Sequence, residues 1–232
     1  MSAATLSAYV LHSRAYRDTS RIADLYSLEQ GRVSAVFKGA RSVGKKRSAV
    51  LEPFSRLSIS LSGKSSLKNG SLRESQRQLS LNSRTALYSG LYINELLVRL
   101  LHEGEANLTL FAAYEWIIVK LASETDIADY LRAFEYTLLQ SLGYPLSFEH
   151  DADEALIDAN HVYYLAPNQG FISAKRQADN RQYFDGATLL SIGALHWSDD
   201  ARTAAKHINR AALAQLLGDK PLMSRQLFRP GH

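Results

Sequence analysis

Six basic side chains lie close together near the N-terminus, and no acidic residue occurs between Glu29 and Glu52. They are Arg32, Lys38, Arg41, Lys45, Lys46 and Arg47. Lys and Arg bind phosphate groups, and a cluster that no neighbouring carboxylate neutralises is suited to a polyphosphate chain. The alternative is a solvated surface loop that binds nothing, and the sequence of this stretch leaves both interpretations open.

The segment GARSVGK at residues 39–45 matches the beginning of a P-loop, which holds nucleotide phosphates. A P-loop continues with Ser or Thr, whose hydroxyl binds Mg²⁺, but the next residue here is Lys46. A long helix must also follow directly, because its N-terminus provides the field that binds phosphate. Pro53 and a strand-like segment follow instead. With no GxSxG or HExxH motif either, we expect no catalytic residue, no enzyme activity and no cofactor.

The charge of the chain is distributed unevenly along its 232 residues. Residues 1–80 hold 14 Lys and Arg against 5 Asp and Glu, whereas residues 81–232 hold 13 against 18. This asymmetry predicts that the first part meets a polyanion. The chain has no Cys, which excludes disulfides and thiolate metal sites. With neither a signal peptide nor a membrane span expected, a cytoplasmic location is favoured.

Five segments of the first 80 residues carry strand patterns. They are Ser7–His12, Arg21–Ser27, Val33–Phe37, Leu57–Ser62 and the weaker Ser65–Gln76. The second fits one face of a helix equally well. Short strands separated by turn residues predict a small barrel or sandwich. Phe37 shares the alternating face of Val33 and Ala35, so we predict it in the core. Tyr16, between Arg14 and Arg17, is then the better candidate to stack on a base.

Helical periodicity begins after Leu81. Apolar residues recur at helical spacing over Ser83–His102, over Asn107–Ala122 and from Thr125 or Asp126 to Leu142, which predicts an antiparallel bundle. The pattern is irregular from Leu146 to Gln182, with short strand-like pieces. Two further helices are expected over Asp185–His196 and Asp199–Leu217. We therefore predict an α+β protein: a β-barrel domain at 1–80, then an α-helical domain at 81–232. The helical domain comprises a bundle at 81–145, an irregular segment at 146–183 and C-terminal helices with a tail at 184–232.

The chain contains, in this order, YVLHSRAYRDTS, GRVSAVFKGARS, LEPF, YSGLYINELLVRLL, LRAFEYTLLQSLGY and KPLMSRQLF. Together these segments, which extend across nearly the whole chain, resemble the RecO family of bacterial recombination mediators. The resemblance implies an OB-fold barrel followed by a helical domain. It implies binding of single- and double-stranded DNA without sequence preference, and annealing of complementary strands. It also implies partnership with RecR and with the C-terminal tail of the single-stranded DNA-binding protein SSB, so that RecA is loaded. The alternative is an adaptor whose basic barrel binds an acidic protein.

One departure from the family concerns metal binding. Many family members carry a four-Cys zinc site after the third helix, but residues 144–172 here contain no Cys. Only His150 and His161 remain as ligands there, and two His do not make a structural zinc site. We therefore expect no metal and a segment held by aromatic packing. The residues expected to pack are Phe148, Tyr163, Tyr164 and Phe171.

Three sets of candidate binding residues follow from these patterns. The DNA-contact candidates are Arg14, Arg17, Arg32, Lys38, Arg41, Lys45, Lys46, Arg47, Lys64 and Lys68, with Tyr16 as the stacking residue. Arg202, Lys206 and Arg210 recur every four residues on one helix face, which is either a second basic surface or a solvated face. Lys120 and Arg132 lie beside apolar helical residues, and the resemblance makes them candidates for the SSB tail.

Overall fold

The structure is a computed structural model that describes residues 5–40, 50–75, 79–144, 146–175, 177 and 180–228. The chain divides into two compact units. The first comprises Met1–Thr125 with Pro221–His232, and the second comprises Asp126–Lys220. The first two helices thus group with the N-terminal strands, while the domain boundary that we expect at residue 80 stays a prediction.

Five strands of the first unit form a closed barrel in the order β1-β2-β3-β5-β4. They are β1 (Thr5–Tyr16), β2 (Ser20–Ser27), β3 (Gly31–Phe37), β4 (Arg56–Ser62) and β5 (Leu67–Ser75). Strands β3 and β5 are parallel and the other neighbours are antiparallel. A closed five-stranded barrel of this kind is the OB fold, so the predicted architecture is confirmed.

The barrel forms because alternate side chains of each strand point inward. Phe37 is 5% exposed and belongs to the core with Val33 and Ala35, as predicted. The second predicted segment, Arg21–Ser27, for which the sequence allowed either a strand or a helix, is strand β2. The predicted first strand is too short, because β1 continues to Tyr16 and places Arg14 in the β1–β2 ladder opposite Ile22. The C-terminal half of β1 is polar, so the alternation of apolar residues does not show that the strand continues beyond His12.

Among the described residues of the same unit, two α-helices lie after the barrel, namely α1 (Arg84–Leu100) and α2 (Leu108–Ser123). Side-chain caps begin both: Ser83 accepts a hydrogen bond from the Ala86 amide, and Asn107 accepts one from the Leu110 amide. Four aromatic rings join the barrel to α2, with centroids 5.2–6.0 Å apart. They are Tyr9 and Tyr26 from the barrel and Phe111 and Tyr114 from α2.

A C-terminal 3₁₀ helix, Met223–Phe228, completes the first unit. The Glu95 carboxylate on α1 accepts hydrogen bonds from the Met223 amide (2.8 Å) and from the Ser224 amide (2.8 Å) and hydroxyl (2.6 Å). Burial alone would raise the pKa of Glu95, but these hydrogen bonds and the charge of Arg99 lower it below its ordinary value. The carboxylate therefore anchors the C-terminal segment to α1.

The second unit combines three helices with a small antiparallel sheet. The helices are α3 (Ala128–Ser141), α4 (Gly186–Gly193) and α5 (Asp199–Leu217), and the strands are β6 (Val162–Ala166), β7 (Gly170–Ala174) and β8 (Tyr183–Asp185). The sheet order is β7-β6-β8. Gly143 (φ +69°) follows α3 and Gly218 (φ +64°) ends α5, in left-handed conformations that glycine adopts without strain.

Aromatic packing holds the segment between α3 and α4, as predicted. Phe171 is fully buried, and its ring lies 5.8 Å from that of Phe148 and 6.3 Å from that of Phe184. Tyr163 is also buried, whereas Tyr164 is half-buried. Within the described ranges, no group of three or more His, Cys, Asp or Glu side chains is placed to hold a metal ion. No helix in the described part of the chain is long and apolar enough to cross a bilayer.

Candidate nucleic-acid interface

The turn between β1 and β2 presents an aromatic ring together with a guanidinium group. Arg17 has φ +49°, and its Cζ lies 5.1 Å from the centroid of the Tyr16 ring. This is within the range of a cation–π contact. Tyr16 is half-buried, and Arg14 and Arg17 are exposed. The turn therefore offers a flat ring and positive charge on the same surface, which suits a base and its phosphate.

Lys38 lies at the same end of the barrel as this turn. Phe37 pairs with Arg21, and Arg21 pairs with Ala15, so the end of β3 lies beside the β1–β2 turn. Lys38 follows Phe37 directly and is exposed. Four of the predicted contacts, Arg41, Lys45, Lys46 and Arg47, lie outside the described residues. Both flanks of that stretch, Ala40 and Val50, pack against the barrel core.

Arg21 is a cation at this end of the barrel that sequence reasoning missed. Its guanidinium donates to the Ser13 hydroxyl at 2.6 Å and lies 3.8 Å from a carboxylate oxygen of Glu52. Ser13 in turn donates to the Leu51 carbonyl at 2.6 Å. Arg21 therefore ties β1 and β2 to the chain that leads into β4. Arg21 pairs with Phe37 across β2 and β3. This pairing cannot be read from the sequence, so no local pattern indicates that Arg21 lies at this end of the barrel.

Lys64 and Lys68 lie at the turn between β4 and β5. Lys64 is exposed, and Lys68 is half-buried and donates to the Gly63 carbonyl at 3.3 Å. Lys68 pairs with Ala35 on β3. Lys38 directly follows the last residue of β3 and is three residues beyond Ala35. Lys68 and Lys38 therefore border the seam between β3 and β5, whereas Lys64 lies in the turn that precedes β5.

Arg32 is placed differently from the other candidates, because carboxylates neutralise it. Its guanidinium lies 3.7 Å from Asp24 and 3.5 Å from Glu103, and it donates to the Leu101 carbonyl at 2.9 Å. Only 18% of its side chain is exposed. Arg32 thus fastens β3 to the connection between α1 and α2, which makes it the weakest of the DNA-contact candidates.

The second predicted basic face, on α5, is only partly available. Arg202 makes two hydrogen bonds to the Asp129 carboxylate, at 2.9 and 3.0 Å, and lies 3.4 Å from Asp199. The hydrogen bonds to Asp129 raise the pKa of the Arg202 guanidinium. Lys206 and Arg210 are exposed. Two of the three predicted side chains therefore remain open to solvent on this helix.

The two residues predicted for partner-peptide binding belong to different compact units. Lys120, at the end of α2, lies 3.4 Å from Glu124 in the first unit. Arg132, on α3 in the second unit, lies 2.8 Å from Glu135, whose side chain is only 1% exposed. Arg132 also borders a cavity of about 300 Å³ whose walls include Tyr136 and Trp197. The assignment of both to one peptide site stays a prediction.

Comparison with known proteins covers both parts of the chain. The family described as "Recombination protein O N terminal" matches residues 1–76, and "Recombination protein O C terminal" matches residues 81–226. A protein named "DNA repair protein RecO" from Pseudoalteromonas atlantica is 40% identical, over 100% of this chain and 97% of that protein. Its namesake from Cellvibrio japonicus is 44% identical over 97% and 96%. That from Haemophilus influenzae strain PittGG is 42% identical over 95% and 93%.

Proposed function

The chain belongs to the RecO family of DNA repair proteins, and we propose that within this role it binds DNA directly and anneals complementary strands. The binding includes single and double strands and does not depend on sequence. The observation that carries this proposal is the end of the barrel where Tyr16, Arg17 and Lys38 lie together. Phosphate contacts position a strand without reading its bases.

The binding surface extends from this end of the barrel along the β3–β5 seam. Its proposed members among the described residues are Arg14, Tyr16, Arg17, Lys38, Lys64 and Lys68. Arg41, Lys45, Lys46 and Arg47, which lie outside the described residues, are proposed as further members on the evidence of sequence alone. Arg32 is left out because Asp24 and Glu103 neutralise its charge.

Annealing follows from charge neutralisation. Two single strands repel each other through their phosphates, and a basic surface that holds both lowers that repulsion. The protein need not hydrolyse a nucleotide, since Lys46 stands where a P-loop needs Ser or Thr. We therefore propose a mediator that is not an enzyme and acts on DNA in the cytoplasm.

The helical parts are proposed to dock protein partners, namely RecR and the C-terminal tail of SSB, so that RecA is loaded onto SSB-coated strands. This proposal rests on the family resemblance. The cavity beside Arg132 offers aromatic walls to an apolar peptide, but Glu135 pairs with Arg132 and Glu149 also lines the cavity, so an acidic tail would have to compete with these carboxylates. Changing Lys120 and Arg132 to Ala should weaken binding of an SSB-tail peptide and leave the affinity for naked DNA unchanged. An equal loss of DNA affinity would contradict this division.

The direct test of the proposed activity is strand annealing by the purified protein without ATP and with a chelator. We expect complementary strands to pair faster with the protein than without it, and the stimulation to fade as salt is raised. The alternative adaptor function predicts no stimulation and no shift of labelled single strands in a gel. Annealing that required ATP would contradict the proposal of a non-enzymatic mediator.

A further inference from the structure

A cleft opens in the first unit where β3 and β5 part from each other. The two strands pair only over Ser34–Val36 and Leu67–Asn69. Beyond this point β5 continues along β4 as far as Ser75, whereas β3 ends at Phe37. The resulting cleft has a volume of about 590 Å³. This is within the range of about 300–1,000 Å³ that is usual for ligand pockets.

The floor of the cleft is apolar and fixed. Phe37, Ala40 and Leu51 are each at most 6% exposed and line it from below. Gly70 allows the Phe37 ring to lie there, because a Cβ at Gly70 would meet the ring at 2.6–2.9 Å. Leu72, which is 37% exposed, adds an apolar wall that faces solvent. The cleft therefore has an apolar floor and one apolar wall.

The rim of the cleft is polar and positively charged. Lys38 is exposed at one edge, and Asn69 and Ser71 are exposed at the other. None of the described residues that line the cleft is acidic. The amide of Asn69 both donates and accepts hydrogen bonds, so it can meet the polar edge of a heterocyclic base. The ligand that fits this cleft has an apolar body, a polar edge and a negatively charged group attached to it.

We propose that this cleft receives an unpaired base of a single-stranded nucleic acid, a proposal that rests on the proposed function of DNA binding. A phosphate ion makes no favourable contact with the apolar floor, and a basic peptide would meet no carboxylate among the described residues that line the cleft. A base inside a duplex is stacked on both faces and paired along its edge, so it does not enter the cleft. The cleft therefore distinguishes single strands from duplexes, which the surrounding cations do not, because they bind phosphates in either form.

The first test replaces Leu72 by Ala and uses Leu87→Ala as its control. Leu87 is 38% exposed, lies on α1 in the same unit and does not line the cleft. We expect Leu72→Ala to weaken binding of a short homothymidine strand about fivefold, which is roughly the effect of one CH₂ group of lost apolar contact. Its affinity for duplex and the salt slope should not change, because no phosphate contact is lost. An equal loss on duplex, or no difference from Leu87→Ala, would overturn the inference.

The second test compares the wild type with Leu72→Ala on two strands that carry the same phosphates. An abasic strand of the same length carries the same charge as the homothymidine strand but has no base to insert. Because Tyr16 also loses a base, we expect the wild-type protein to bind the abasic strand at least fivefold more weakly, and Leu72→Ala to reduce this difference about fivefold. Equal binding of both strands by the wild type would overturn the inference and leave the proposed function standing. If the wild type bound no DNA at all, the proposed function itself would fail.

Discussion

Asn94 joins the barrel to the helices of the first unit, and its loss gives a stability prediction with a defined magnitude. The side chain is 3% exposed. Its amide nitrogen donates to the Leu11 carbonyl at 2.8 Å, and its amide oxygen accepts from the Tyr114 hydroxyl at 2.8 Å. Asn94→Leu leaves both partners buried and unpaired. Each unpaired group costs about 1–3 kcal/mol, so we expect the free energy of unfolding to fall by about 2–6 kcal/mol.

A double variant separates this cost from a simple packing defect. Burial raises the pKa of Tyr114 well above its ordinary value, so its hydroxyl remains protonated and needs an acceptor. Tyr114→Phe alone leaves only the amide oxygen of Asn94 unpaired. In the double variant with Asn94→Leu, only the Leu11 carbonyl is unpaired. We therefore expect the double variant to be more stable than Asn94→Leu alone, by about 1–3 kcal/mol.

The assay is urea unfolding followed by tryptophan fluorescence. The chain has two Trp, of which Trp116 lies in the first unit and Trp197 in the second. In a Trp197→Phe background the signal therefore reports only the unit that contains Asn94. Effects of the two single changes that simply add up in the double variant would refute the reasoning, because the hydroxyl and the amide would then be acting independently.

Two further predictions concern the same unit. Because the pKa of Glu95 is lowered in the folded state, the stabilisation by its hydrogen bonds to Ser224 is present above the ordinary Glu pKa and is lost as pH falls through the folded value. The difference in melting temperature between wild type and Glu95→Gln should accordingly be present at pH 7 and shrink below about pH 4, and a constant difference would contradict this. Gly31→Ala should destabilise the unit by several kcal/mol, since φ is +65° and the new Cβ would lie 1.9 Å from the Glu105 carbonyl oxygen. A thermal melt that shifts by less than about 2 °C would show that the chain relaxes around the methyl group.

The barrel was predictable because its strands alternate. Leu57 and Ile59 recur with period two, and both are buried in the core. The same period placed Phe37 inside. The start of α2 at Asn107 and the end of α5 at Gly218 were also predictable, whereas α3 begins at Ala128, after Ile127, which makes no side-chain cap, and not at Thr125 or Asp126. These features depend on residues close together in the sequence, so a single sequence contains enough information to find them.

Long-range pairing was not predictable. The local sequence predicts Arg32 to be one of several cations without a neutralising partner, but Glu103, far along the chain, lies 3.5 Å from it. Tyr9 is 6% exposed and packs against Phe111 and Tyr114, a contact that no local pattern indicates. Both contacts arise only once α1 and α2 lie on the barrel. The cleft at Leu72 escaped notice for the same reason, since it exists only where β3 and β5 separate.

The central claim is that the basic end of the barrel holds DNA through its phosphates, and the salt dependence of binding tests it most directly. Lys45, Lys46 and Arg47 are adjacent in the sequence, so at most two or three of them reach one strand. Each phosphate contact contributes a slope of about −0.7 on a log–log salt plot for single strands. Fluorescence anisotropy on two unrelated oligonucleotides should therefore show that the triple Ala variant flattens the slope by roughly 1.5–2 units. Its loss of affinity at low salt should be the same for both sequences. A slope equal to that of the wild type would contradict the claim, and it would direct attention to Lys206 and Arg210 instead.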